Sequence, residues 1–236
     1  MTLAFSTIFP KGKPGLEGKE TLFIEKIWSS LLVEPLIGVV LEDYEESMKE
    51  HVAMFGDPWD GNKKGFVRPK IHTIRRDEMD RWKQGNKIHM AVRNRTPDRF
   101  QFAPVVNCTG IETIKIKWFY GVGNSLKLCR VFVGSKEIGC GVWNKHHESN
   151  PIFTGNELVE LVKNDGFDSI QDFFAWFNED FTGKIIHWTP FRYDPILIEV
   201  NEPKHVKAIT EFDCECGSRK RKDSKYCDSC NRHHSI

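Results

Sequence analysis

Four cysteines within the last twenty-three residues carry the clearest chemical pattern in the chain: Cys214-Glu215-Cys216-Gly217, and then Cys227-Asp228-Ser229-Cys230. Two closely spaced thiolate pairs suit the tetrahedral preference of Zn²⁺, because each pair spans one edge of the tetrahedron and Gly217 lets backbone amides turn toward sulfur. Four thiolates on one divalent ion leave a charge of −2. Arg219, Lys220, Arg221, Lys222 and Lys225 surround the cysteines with compensating charge. The C-x-C spacing is tighter than C-x-x-C, and His233 or His234 could stand in for one sulfur. Residues 212–236 contain only Phe212 and Tyr226 as aromatic side chains and Ile236 as a large aliphatic one, so this module needs its metal to fold. Small basic zinc ribbons bind nucleic acid or protein.

The other three of the seven cysteines, Cys108, Cys129 and Cys140, lie in strand-like sequence and read as small, buried, reduced side chains. No stretch reaches the roughly 18 to 20 uninterrupted apolar residues that span a bilayer, and the first residues lack a basic flank before an apolar run. Membrane insertion and secretion are therefore not expected, and a cytoplasmic location is. The 236 residues carry a formal net charge of +1, but this is an average over opposite blocks. Eight acids face only Lys49 between Glu34 and Asp60, whereas twelve Lys and Arg face four acids between Gly61 and Arg99. A basic surface attracts polyanions whatever the total charge, although the two blocks could equally pair within the fold.

The elements that must position these groups follow from periodicity. Phe23, Ile24, Ile27, Trp28 and Leu31 form one apolar stripe, which predicts a helix over Glu20–Leu32. The acidic segment of about 34–66, rich in Gly, Pro and Asp, reads as an insertion. Lys70–Arg76 predicts a strand, and Asp77–Trp82 a helical turn closing at Gln84-Gly85-Asn86. Period-two patterns then mark strands at Ile88–Val92, Phe100–Phe102 and Ile114–Trp118. Leu126–Val133 and Glu137–Trp143 read as a hairpin inside a second insertion of about 119–150. Glu157–Lys163 predicts a helix that turns at Asn164-Asp165-Gly166 into a second helix, capped by Asp168 or Ser169 and bearing Ile170, Phe173, Phe174 and Phe177. A last strand covers Lys184–Trp188. The order predicts an α+β fold with about six strands in a small barrel-like sheet flanked by helices. The domain spans 1–198, a linker 199–211, and the zinc-ribbon-like module 212–236.

Three segments taken together resemble the ASCH family, small mixed β-barrel domains related to the PUA fold. They are Lys70-Ile71-His72-Thr73-Ile74-Arg75-Arg76, then Arg81-Trp82-Lys83-Gln84-Gly85, and Asn164-Asp165-Gly166-Phe167-Asp168-Ser169 leading toward Ile185-Ile186-His187-Trp188. They correspond to the family's K-x-x-T-I-R strand, its W-x-x-G turn and its D/E-G-F-x-S helix start. The resemblance implies RNA or nucleotide binding, in proteins found in bacteria and phages. One branch hydrolyses N4-acetylcytidine with a Lys, a Thr and a Glu. Carried over by position, that catalytic set falls on Lys70, Thr73 and Asp165, with Asp in place of Glu.

Amide cleavage needs a base or nucleophile and donors for the developing oxyanion, and a lysine serves only when burial or nearby cations lower its pKa. Binding asks for less. Arg75, Arg76 and Lys83 could hold phosphate while Trp82 stacks on a base. His72, His89 and His187 read as ordinary satisfied histidines, His146-His147 as a polar loop, and Trp59 as a cover on the sheet or a contact. Three functions are thus expected in competition: an RNA or nucleotide binder, an N4-acylcytidine amidohydrolase, and a scaffold meeting a protein partner through the acidic insertion or the zinc ribbon. The metal site has a direct check. Native mass with and without a chelator should differ by one zinc ion, and an unchanged mass removes it.

Overall fold

The computed structural model describes residues 1–13, 15–59, 67–121, 126–144 and 151–194. The linker, the zinc-ribbon-like module with Cys214, Cys216, Cys227 and Cys230, and the His146-His147 pair lie outside them. Among the described residues, four α-helices and ten strands give a mixed α+β architecture. Among the described residues no helix is long and apolar enough to cross a membrane.

Two open sheets organise the chain. In the smaller, β1 (Thr2–Phe5) runs parallel to β3 (Lys87–Val92), which also pairs with the short β4 (Phe100–Gln101) and β5 (Val106–Asn107). The larger has the order β2 (His72–Arg75), β10 (Phe181–His187), β6 (Gly110–Tyr120), β7 (Leu126–Val133), β8 (Lys136–Asn144) and β9 (Ile152–Thr154), antiparallel throughout. Among the described residues no ladder closes either sheet into a barrel. The hairpin expected as an insertion supplies β7 and β8, whose Cys129, Val131, Val133 and Ile138 lie in the core.

Alternation along β6 explains the first core. Ile114 and Ile116 face inward while Lys115 faces solvent, and α3 (Asn156–Asn164) and α4 (Ile170–Trp176) cover that inner face with Leu158, Leu161, Phe173 and Phe174. Ser169 caps α4 by accepting from the Asp172 N–H at 3.0 Å. The second core surrounds α1 (Phe23–Val33), whose Ile24, Ile27, Trp28 and Leu31 meet β1, β3, β4 and Trp188 at the end of β10. Two of its buried indoles are satisfied: Trp28 donates to the Phe102 carbonyl at 2.9 Å and Trp188 to Ser30 Oγ at 3.0 Å. Phe23 touches both cores.

Several elements differ from the sequence expectation. The acidic segment forms a 15-residue helix, α2 (Leu41–Phe55), which buries no residue fully. Its Tyr44, His51 and Phe55 nonetheless gather with Trp59 around Trp28 and Phe100. That apolar spacing was present in the sequence but masked by acidic neighbours. Asp77–Trp82 forms no helix. The Asp77 carboxylate accepts from the N–H groups of Arg81 (3.0 Å) and Trp82 (2.8 Å), a local bond that competes with a helical ladder. Cys108 and Cys129 are buried as expected, whereas Cys140 is half-exposed beside Thr154.

Candidate functional site

The chain enters β2 through a segment fixed on both sides by backbone. Lys70 N–H donates to the Lys26 carbonyl of α1 at 2.8 Å, and Ile71 N–H to the Asn164 carbonyl at the end of α3 at 3.0 Å. Helix α3 stops at Asp165 because Gly166 takes a positive φ of 88°, turning the chain while its N–H bonds back to Lys163. A Cβ on Gly166 would come within 3.0 Å of Lys70 Cδ and 3.1 Å of Phe23, so glycine is required by space as well as by backbone angle.

Beneath this turn Lys70 and Asp165 meet. The Lys70 ammonium donates to Asp165 Oδ1 at 2.7 Å and to the Asp165 backbone carbonyl, and lies 4.8 Å from the centre of the Phe23 ring. The same Oδ1 accepts the Ile74 N–H at 3.1 Å. Lys70 is 1% exposed and Asp165 4%. Burial lowers the Lys70 pKa to about 8 even though Asp165 opposes the shift. Burial alone would raise the Asp165 carboxyl, but Lys70 and then His72 hold it below the ordinary range.

Thr73 does not join this contact. Strand alternation places it with Arg75 on the face opposite His72 and Ile74, paired in register with Ile186, and no hydrogen bond links it to Lys70 or Asp165. The other expected binding residues are engaged within the fold. Arg75 donates to the Ala4 carbonyl at 2.7 Å and lies over Phe5, so it anchors β1. Arg76 covers Phe181 and stands 3.7 Å from Glu179. Lys83 pairs with Asp80. Trp82 is only 5% exposed, inside the second core, where no base can stack on it.

In place of Thr73, the structure brings a set of polar groups to Lys70 and Asp165 that the sequence left as ordinary residues. His72 is fully buried. Its Nε2 lies 2.8 Å from the Tyr193 hydroxyl, which also accepts from Asn164 Nδ2 at 3.0 Å, while Nδ1 stands 3.7 Å from Asp165 Oδ1 with no hydrogen bond. His187 packs against His72 with ring centres 5.2 Å apart. Its Nε2 approaches Glu112 Oε2 at 2.7 Å, but off the line that an N–H bond requires, and neither ring nitrogen is hydrogen-bonded. Glu112 instead accepts the N–H groups of Tyr193 (3.1 Å) and Asp194 (2.8 Å). These groups come from four stretches of chain, around His72, Glu112, Asn164 and His187–Tyr193, and only their alternation on β2, β6 and β10 hinted at a common face.

The open space lies beside this buried pair. Lys26, Arg68, Lys163, Gly166, Phe167 and Asp168 line a cavity of about 220 Å³. A wider concavity of about 590 Å³ shares Arg68 and Lys163 and continues along Pro69, Ile71, Val159 and Glu160. Lys26 donates to the Gly166 carbonyl at 2.8 Å and to Asp168 Oδ1 at 2.6 Å. Arg68 and Lys163 form no ion pair or hydrogen bond among the described residues through their charged groups. Arg68 belongs to the basic stretch seen in the sequence, but Lys163 is 95 residues away, and only the fold brings the two together. Among the described residues no group of three or more His, Cys, Asp or Glu could hold a metal ion.

No family model, no curated protein and no solved structure matches this chain.

The buried histidines make stability depend on pH. Burial lowers the His187 pKa from 6.5 to about 4, against the pull of Glu112. Between those values the unfolded chain takes up a proton that the folded chain refuses, so stability falls as pH drops through that window. Chemical denaturation should show a loss of about 2 kcal/mol between pH 7 and pH 5 from His187 alone. His187→Gln should flatten the dependence, and equal slopes in the two proteins would assign it elsewhere.

Proposed function

We propose that this chain is an ASCH-type protein that binds RNA or a nucleotide-like ligand in the groove between the entry to β2 and helix α3. One observation carries the reading: two concavities meet at Arg68 and Lys163, the cations there that have no ion pair or hydrogen bond from their charged groups among the described residues. A fold that binds a phosphate keeps cations available at a concave surface, and backbone-phosphate contacts supply most of the affinity of such binding. The finer fold expectation, a PUA-like barrel, comes with the same resemblance. The spacing of Cys214, Cys216, Cys227 and Cys230 adds a C-terminal zinc ribbon to this reading, and its basic neighbours give a second surface for nucleic acid or a protein partner.

Fluorescence anisotropy with a labelled single-stranded RNA tests the groove in the full chain. Affinity should fall as salt rises from 50 to 200 mM, and the combined Arg68→Glu and Lys163→Glu variant should bind at least about tenfold more weakly, with a salt slope reduced by about two. Equal affinities and slopes in the two proteins would move the site away from this groove.

A second reading, hydrolysis of an N4-acylated cytidine, draws on the 2.7 Å contact between Lys70 and Asp165 and on the lowered Lys70 pKa. A lysine near 8 could accept a proton at mildly alkaline pH. Lys70 is 1% exposed, so turnover requires its surroundings to open. Cytidine released from N4-acetylcytidine by the full chain at pH 8 would support hydrolysis, and none released would end this reading.

A further inference from the structure

Two kinds of charge line this groove. Lys26 is neutralised by Asp168 and held by the Gly166 carbonyl. Arg68 and Lys163, which line both concavities, have no ion pair among the described residues. Glu160, one helical turn before Lys163, lines the wider concavity, and its carboxylate too has no ion pair or hydrogen bond among the described residues. Pro69, Ile71 and Val159 add an apolar wall to the same concavity.

We propose that the groove takes one nucleotide unit, with its phosphate between Arg68 and Lys163 and with a base whose exocyclic amino group donates to Glu160. This inference rests on the groove being a nucleotide site. An ionised carboxylate is an acceptor only, so it pairs with an amino donor such as N4 of cytosine and repels the O4 acceptor that uracil presents at the same position. It also repels a second or third phosphate extending in that direction, which favours a monophosphate or one unit of a strand over a triphosphate. The apolar wall offers the flat face of the base a surface away from water.

Titration calorimetry of the full chain with CMP, UMP and cytidine separates the parts. CMP should bind roughly tenfold or more tightly than cytidine, because charge-assisted bonds to the phosphate are lost in the nucleoside. CMP should also bind about fivefold or more tightly than UMP. Glu160→Gln, whose amide both donates and accepts, should close the gap between CMP and UMP while keeping the phosphate dependence. Arg68→Ala combined with Lys163→Ala should close the gap between CMP and cytidine. Glu160 and Arg68 are exposed and Lys163 lies at the surface, so thermal unfolding should match the parent. Equal binding of CMP and UMP, or a preference that survives Glu160→Gln, overturns the base assignment even where salt-dependent RNA binding at Arg68 and Lys163 persists. RNA binding indifferent to Arg68→Glu and Lys163→Glu removes the groove itself, and this inference with it.

Discussion

A lysine and an aspartate buried together beneath a glycine turn set the terms for the rest of this fold. Two charges taken out of water are tolerated only when geometry and further hydrogen bonds compensate the lost hydration, and removing one partner costs about 3 to 5 kcal/mol. Here Asp165 Oδ1 accepts from Lys70 and from the Ile74 amide, while the ammonium also meets a backbone carbonyl and the Phe23 ring. The pair therefore fastens three otherwise separate pieces: the end of α3, the entry to β2 and the start of α1. Any residue larger than glycine at 166 would press on the Lys70 stem.

Around that pair the interior is unusually polar. His72, His187, Glu112 and Tyr193 occupy the inner face of β2, β10 and β6 where aliphatic side chains would pack without electrostatic cost. Desolvation keeps both histidines neutral, and Glu112 is held ionised through His187 and the two backbone N–H groups at Tyr193 and Asp194. The segment that follows β10 is thereby tied to the same network that holds the end of α3, since Asn164 and His72 both bond the Tyr193 hydroxyl.

Part of the basic stretch in the middle of the sequence is consumed by structure. Arg75 anchors β1, Arg76 shields an aromatic ring, and Lys83 with Lys184 surrounds the acidic Asp77–Asp80 turn. Where two concave surfaces join, the cations without an ion pair among the described residues are Arg68 and Lys163. Positive charge counted along a chain thus overstates the charge offered to a ligand, because arginine is equally effective as an internal fastener.

Local patterns determined much by themselves. The apolar stripe of α1, the Phe-rich helix α4 with its Ser169 cap, the alternation of β6 and the β7–β8 hairpin were all legible, because each is a relation between residues a few positions apart. The spacing of Lys70 and Thr73, three positions apart, was legible too, but in an extended chain an odd spacing sends side chains to opposite faces, and the acid that meets Lys70 ignores Thr73. Only the tertiary structure decided that Asp165 would reach Lys70 across 95 residues, that two histidines would be buried without full hydrogen bonding, and that Trp82 would be core. Burial and long-range pairing follow from how sheets and helices pack, which no short window of sequence contains.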